Sequence, residues 1–463
     1  MLFNSTSFLI FFFIFISLYF TYGRENITTR NLLILISSYA FYSFWDWRFT
    51  FLLLGSSLID FKIGCLLQNE QVQTKRKSLL IVSVFCNLGV LFLFKYFNFF
   101  SDSLNQLLIS LGASEFFSHA KVILPVGISF YTFQSLGYTI DVYRKKTACV
   151  SKLVPFMAYV SFFPQLVAGP IERSINLIPQ FLSTRSISND FIHMGFNLIV
   201  LGLFKKVVIA DNLAPLVDMV YGQNIDAGPI IVLATIAFGI QIYCDFSGYS
   251  DIARGIAYIL GFKLMVNFNL PYFSTTPKDF WRRWHISLSS WFRDYVYIPL
   301  GGNKIGKGNT IRNLVITMLL AGIWHGAGWN FILWGLWHGL MLSLFSNFEP
   351  KNYASKALGW FLTMFIVFYG WLLFRCDSIE QIINFTLNFG VYTFPTWFND
   401  YLFTLLLFGN VFLMLQLWKK ITCELCPAIL LNKYLNSLVV AFKIYLIVLF
   451  WNTSGSHFIY FQF

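Results

Sequence analysis

Residues 280–304 read FWRRWHISLSSWFRDYVYIPLGGNK. This short stretch gathers three arginines, one histidine, one aspartate and five Trp or Tyr rings. The chain around it is of another kind: 57% of its 463 residues are hydrophobic, 12% are charged, and the mean hydropathy is +0.64. A charged side chain at the centre of a bilayer costs roughly 2.5–3.5 kcal/mol on insertion scales. So polar a segment in so apolar a chain belongs at a membrane interface, or on the wall of a wet cavity at membrane depth.

Working outward, apolar runs long enough to cross about 30 Å of hydrocarbon recur from end to end. They lie near residues 7–23, 31–47, 50–67, 78–99, 122–142, 153–169, 194–210, 229–246, 311–324, 329–346, 357–374, 402–418 and 436–451. With some of these re-entrant or interfacial, the pattern predicts an all-α polytopic membrane protein with roughly eleven crossings. The first run lacks a basic leader and a small-residue cleavage site, so it reads as a span rather than a removable signal. Lys and Arg mark loops on the cytoplasmic side. Arg24 and Arg30 follow the first run, Lys75, Arg76 and Lys77 the third, and Arg144, Lys145 and Lys146 the fifth. The turn with Asp46 and Arg48 and the connection 101–121 are poorer in basic residues, which places the N-terminus outside.

The net charge of +12 is therefore mostly topology and attraction to anionic lipid, and no nucleic-acid-binding motif accompanies it. Seven cysteines stand at 65, 86, 149, 244, 376, 423 and 426, most of them in or near apolar runs. Cys423-x-x-Cys426 has no second ligand pair, so no metal site is expected. No linker or long hydrophilic stretch interrupts the chain, and residues 1–463 read as a single membrane-embedded domain. Work on a large external substrate would then need a second protein. No internal repeat is evident, which weakens an inverted-repeat transporter reading.

The most polar region, 240–340, contains the opening stretch. Before it stands QIYCDFSGYSDIARG (241–255), with Asp245, Asp251 and Arg254 among apolar and hydroxyl residues. After it stands AGIWHGAGWNFILWGLWHG (321–339), with His325 and His338. Ionisable groups at membrane depth are functional candidates by default, and polar glue between helices is the alternative.

In the opening stretch, Thr276-Pro277-Lys278-Asp279 resembles a capping box with proline at the first helical position, and Pro299 and Gly301-Gly302 mark an end. The spacing predicts one amphipathic helix over 277–296. Trp281, Trp284, Leu288, Trp291, Phe292 and Tyr295 fall on one face, Arg282, Arg283, Ser290, Arg293 and Asp294 on the other, and His285 on the seam. Such a helix suits an interface or a cavity wall. The loop GGNKIGKGNTIR (301–312) nearly spells a phosphate-binding loop, but Gly308 replaces the metal-binding hydroxyl residue and no strand precedes it. An ATPase is excluded, whereas contact with a phosphorylated donor is not.

His325 is flanked by Gly322 and Gly326, a spacing that lets helix backbones approach closely, with Trp324 and Trp329 adding bulk. A neutral imidazole there can take a proton from a hydroxyl, a general-base role worth roughly 10²–10⁴ in rate. A satisfied core histidine is the alternative, and spacing does not separate His338 from it. No HExxH helix, GxSxG elbow or GxGxxG loop is present. Histidine-assisted acyl transfer and transport without chemistry remain.

Several long stretches resemble the membrane-bound O-acyltransferases, in particular the alginate O-acetylase branch, which also includes peptidoglycan and cellulose O-acetylases. They are FFPQLVAGPIER (162–173), CDFSGYSDIARGIAYILGFKLMVNFNLPY (244–272), DFWRRWHISLSSWFRDYVYIPLGGNK (279–304), GIWHGAGWNFILWGLWHG (322–339) and the terminal FIYFQF (458–463). The motif core runs from about 120 to 375. The resemblance implies a ring of tilted helices around a central tunnel. It also implies acetyl transfer from a cytosolic thioester, acetyl-CoA, toward a cell-envelope polysaccharide such as alginate, peptidoglycan or cellulose, in a bacterial inner membrane. The WHG motif puts the essential histidine at His325, and the WRRWH motif puts the second polar position at His285. Arg282, Arg283, Lys304, Trp324 and Asp245 are further substrate-binding candidates. The implied partner is a separate SGNH-type periplasmic transferase, with no resident cofactor. D-alanyl transfer to teichoic acids on the same scaffold and a non-enzymatic flippase are the alternatives.

Overall fold

The computed structural model describes residues 3–23, 26–116, 121–167, 169–184, 187–223, 225, 227–304, 306–422, 433–451 and 458–459. Cys423 and Cys426, Arg24 and the last four residues of FIYFQF lie outside the described residues. Every regular element among the described residues is helical. Six helices are long and apolar enough to cross a membrane, and three shorter apolar helices accompany them. The protein is an all-α polytopic membrane protein.

The chain divides into two compact units, residues 1–195 with 253–265, and residues 196–252 with 266–463. The first unit is built from α1 (Thr6–Tyr22), α2 (Ile27–Ser43), α3 (Arg48–Asn69), α4 (Gln73–Ser110), α5 (Ile128–Tyr143), α6 (Leu153–Ser161) and α7 (Ser174–Leu182). The apolar run at 122–142 becomes helical only at Ile128. Gly127 turns the chain at φ 77°, where an added Cβ would meet the Leu166 carbonyl at 2.6 Å. Arg76 is buried at the junction of α3 and α5 and donates to the terminal carbonyls of Leu67, Glu70 and Tyr143. A cation thus meets the negative ends of two helix dipoles.

The second unit holds the polar region apart from residues 253–265. Its core is the inner end of α8 (Asn189–Gln223) against α9 (Gly228–Ile259). Gly202 and Gly248 let the two backbones touch: a Cβ on Gly248 would lie 2.8 Å from the Gly202 carbonyl. There follow α10 (Pro277–Arg283), α11 (Ile286–Phe292), α12 (Lys307–His325), α13 (Trp329–Leu344) and α14 (Tyr353–Arg375). Helix α15 (Phe398–Lys420) and α16 (Lys433–Leu449) complete it.

The single helix expected over 277–296 is two helices with a break. Its start is as the sequence indicates, because Thr276 Oγ1 accepts the Asp279 N–H at 3.1 Å and Pro277 opens the first turn. At Trp284 and His285 the helix stops, and His285 takes the left-handed conformation at φ 42°, ψ 54°. The cause is twenty residues away. The Asn267 backbone carbonyl accepts the Ile286 N–H at 2.9 Å, and its side-chain oxygen accepts the Ser287 N–H and hydroxyl at 3.2 and 2.9 Å. The Asn269 N–H in turn donates to the Arg283 carbonyl at 2.9 Å. The chain at 267–269 thus supplies the hydrogen bonds that continuing the helix would have made.

Candidate active site

The tight hairpin of α12 and α13 positions the histidines. A Cβ on Gly335 would lie 2.5 Å from the Met318 carbonyl and 3.0 Å from Leu319 Cα, and Gly322 has the same relation to the Phe331 carbonyl. With no side chain between them, the two backbones pack at close range. His325 is the last residue of α12 and is 4% exposed. Its ring meets Trp334 at 5.0 Å and Phe374 at 5.4 Å, both nearly perpendicular. These are favourable edge-to-face contacts that hold the imidazole in one orientation.

His338 lies one turn beyond Trp334, with ring centroids 4.9 Å apart, and its other face meets Trp281 at 5.1 Å. Gly370 closes the site behind it, since a Cβ there would lie 2.5 Å from His338 Nε2. Trp334 is fully buried between the two histidines. This geometry separates what spacing could not.

A cavity of about 1150 Å³ opens beside them, and His325 is the one histidine that lines it among the described residues. Its inner wall is formed by the buried Thr317, Met318, Ala321 and Leu288 with the half-buried Leu314 and Trp281. The exposed part carries Lys278, Arg282, Arg293 and Lys307. Among the described residues no aspartate or glutamate lines it. Several hydroxyl protons are directed to helix carbonyls, Ser289 to Trp284 and Thr317 to Asn313 among them. The cavity therefore offers cations at its rim and a buried imidazole on its apolar wall.

His285 is 1% exposed and packs edge-on against Phe246 at 4.6 Å and beside Trp324 at 5.9 Å, behind the cavity wall. Burial pushes its imidazole down to about 3. Arg282 lines the rim, whereas Arg283 pairs with Asp279 at 3.0 Å and Lys304 is exposed outside the lining. Trp324 packs beside both histidine rings, tilted against His285 and edge-on to His325, without lining the cavity.

Asp245 belongs to a buried charge network. Lys206 Nζ bridges Asp245 at 2.8 Å and Asp211 at 2.9 Å, and Asp245 also accepts the Ile459 N–H at 2.7 Å. Lys205 pairs with Asp251 at 2.6 Å alongside. The next residue, Phe246, touches His285, so the network braces the wall behind the site. Sequence reasoning passed over Lys205 and Lys206. Two lysines interrupting the apolar run 194–210 were the available signal. Lys278, Lys307 and Trp334 were also missed as site residues.

Residues 36–379 match the model of the MBOAT, membrane-bound O-acyltransferase, family. The chain belongs to this family. It is 42% identical over 404 residues to the probable alginate O-acetylase AlgI of Pseudomonas aeruginosa, covering 86% of this chain and 76% of that protein. It is 34% identical over 392 residues to the peptidoglycan O-acetyltransferase of Helicobacter pylori, covering 78% and 73%. A teichoic acid D-alanyltransferase of Streptococcus thermophilus is 32% identical over 281 residues, covering 54% of this chain and 68% of the relative. The protein is a membrane O-acyltransferase, and a flippase without chemistry is set aside.

Proposed function

We propose that this membrane O-acyltransferase moves an acetyl group from acetyl-CoA, across the membrane, toward O-acetylation of a cell-envelope polysaccharide of the alginate or peptidoglycan kind. The observation that carries the reading is the cavity that joins four exposed cations to the buried His325. Phosphates on a donor suit the Arg282, Lys278, Arg293 and Lys307 rim, since charge-assisted bonds to phosphate are about twice as strong as neutral ones. The small apolar wall suits an acetyl group.

His325 acts as general base in this scheme. An acceptor hydroxyl oxygen attacks the thioester carbonyl carbon, and its proton passes to the imidazole. The carbon–sulfur bond then breaks, and the leaving thiolate takes that proton, giving ester and thiol. His285 acts through Trp324 as a positioning residue. The family resemblance supports a donor that reaches the site from inside and an acceptor from outside, and the loop charges before residue 150 support an N-terminus outside a bacterial plasma membrane. A separate periplasmic transferase of SGNH type would deliver the group to the glycan.

Mass spectrometry of the envelope polymers with and without the gene tests this reading. O-acetyl esters should vanish from one polysaccharide and return on complementation. Loss of D-alanyl esters instead would assign the chain the activity named for its Streptococcus relative, and unchanged esters of both kinds would end the proposal.

A further inference from the structure

The first unit carries a polar site that acyl transfer does not use. Asp60 is fully buried near the middle of α3, roughly 13–18 Å from either helix end. Its carboxyl accepts from Ser83 Oγ at 2.6 Å, from Asn87 Nδ2 at 2.9 and 3.1 Å, and from Thr139 Oγ1 at 3.2 Å. Ser56 and Ser135 donate to the Asn87 side-chain oxygen at 3.3 and 3.2 Å. Helices α3, α4 and α5 thus converge six oxygen-bearing side chains on one point.

No lysine, arginine or histidine among the described residues pairs with Asp60. Lys95 on α4 donates to Ser129 Oγ at 3.4 Å, and the Tyr138 hydroxyl on α5 accepts the Val150 N–H at 3.1 Å. The donors that reach Asp60 are all neutral. A full negative charge at mid-membrane with no counter-charge is costly, and hydrogen bonds from neutral groups offset it only in part. The charge calls for one positive partner. The oxygen shell and single carboxylate suit a monovalent ion and fall short of what a divalent ion takes.

We propose that the Asp60 cluster binds one monovalent cation at mid-membrane, a proton or a sodium ion. As a proton site, Asp60 is a neutral acid knotting three helices together. As a sodium site, the Asn87 amide turns its oxygen toward the ion, and its nitrogen then donates to Ser56 and Ser135, which can equally accept. Either way the ligand neutralises the Asp60 carboxyl at the centre of the cluster.

The difference infrared spectrum of full-length protein against Asp60→Asn separates the sources, together with thermal unfolding in sodium and in choline chloride. A protonated-carboxyl stretch present in the native protein and missing from the variant identifies a proton. A carboxylate band, with a native midpoint that rises with sodium and a variant midpoint that does not, identifies sodium. A carboxylate band with a midpoint indifferent to sodium overturns the proposal. Ser83→Ala keeps Asp60 and removes one oxygen, and it serves if Asp60→Asn does not accumulate. It should shift the carboxyl stretch or weaken apparent sodium affinity about 10-fold or more; a variant that shows no such shift and no such weakening counts against the site.

Discussion

The His285 and His325 rings lie with centroids 6.4 Å apart, yet only His325 lines the cavity. His285 reaches it through Trp324, which meets the two rings at 5.9 and 5.0 Å. A positioning role predicts that His285→Asn folds, because asparagine tolerates the left-handed backbone that His285 adopts at φ 42°. Its kcat should fall by up to about 10²-fold, the scale of a small misplacement, while the donor KM stays constant. Steady-state kinetics at varied donor concentration check this. A raised KM with native kcat would instead make His285 a donor-binding residue.

Two buried groups give opposite pH effects on stability. His285 is pushed down from its ordinary 6.5 to about 3 by burial, so the stability it contributes is present above 6.5 and lost as pH falls toward 3. Glu172 is pushed up to about 7, chiefly by burial and against the N–H groups of Met265 and Arg173 that it accepts. Its contribution is present below 4.5 and lost as pH rises toward 7. Thermal midpoints in detergent from pH 4 to 8 should therefore show a shallower acid-side loss for His285→Asn. They should show a shallower loss between 4.5 and 7 for Glu172→Gln.

The α12–α13 hairpin leaves no space for a methyl group at Gly335, where a Cβ would stand 2.5 Å from the Met318 carbonyl. Gly335→Ala should insert in the membrane at native level yet lose transfer by about 10²-fold, since His325 shifts when the helices part. Activity normalised to membrane-inserted protein decides it.

Lys206→Met leaves Asp211 and Asp245 buried without their shared cation, each with a side chain at most 4% exposed. Removing one partner of a buried pair costs about 3–5 kcal/mol. The variant should accumulate poorly or unfold well below the native protein. Lys206→Met with Asp245→Asn should recover part of the loss, which a double-mutant cycle measures.

Membrane class and the all-helical architecture were legible in the sequence because each is local. Hydropathy counts residues along the chain, and Gly322 and Gly326 announce close packing beside His325. The break at His285 was not legible, because helical spacing holds on both sides of it and the cause is Asn267, a residue of another segment. The choice between His325 and His338 was equally hidden. Both sit beside glycine and tryptophan, and only the packing shows one ring on a cavity and the other sealed by Trp281, Trp334 and Gly370. Asp245 stood out as a charge, but its partner Lys206 comes from α8 and its amide donor from Ile459.

The most direct test is the transfer rate of purified His325→Ala against native protein, at equal amounts of inserted protein, with acetyl-CoA and an acceptor hydroxyl. Loss of the general base predicts a fall of roughly 10²–10⁴-fold with donor binding retained. Transfer at the native rate would contradict the account.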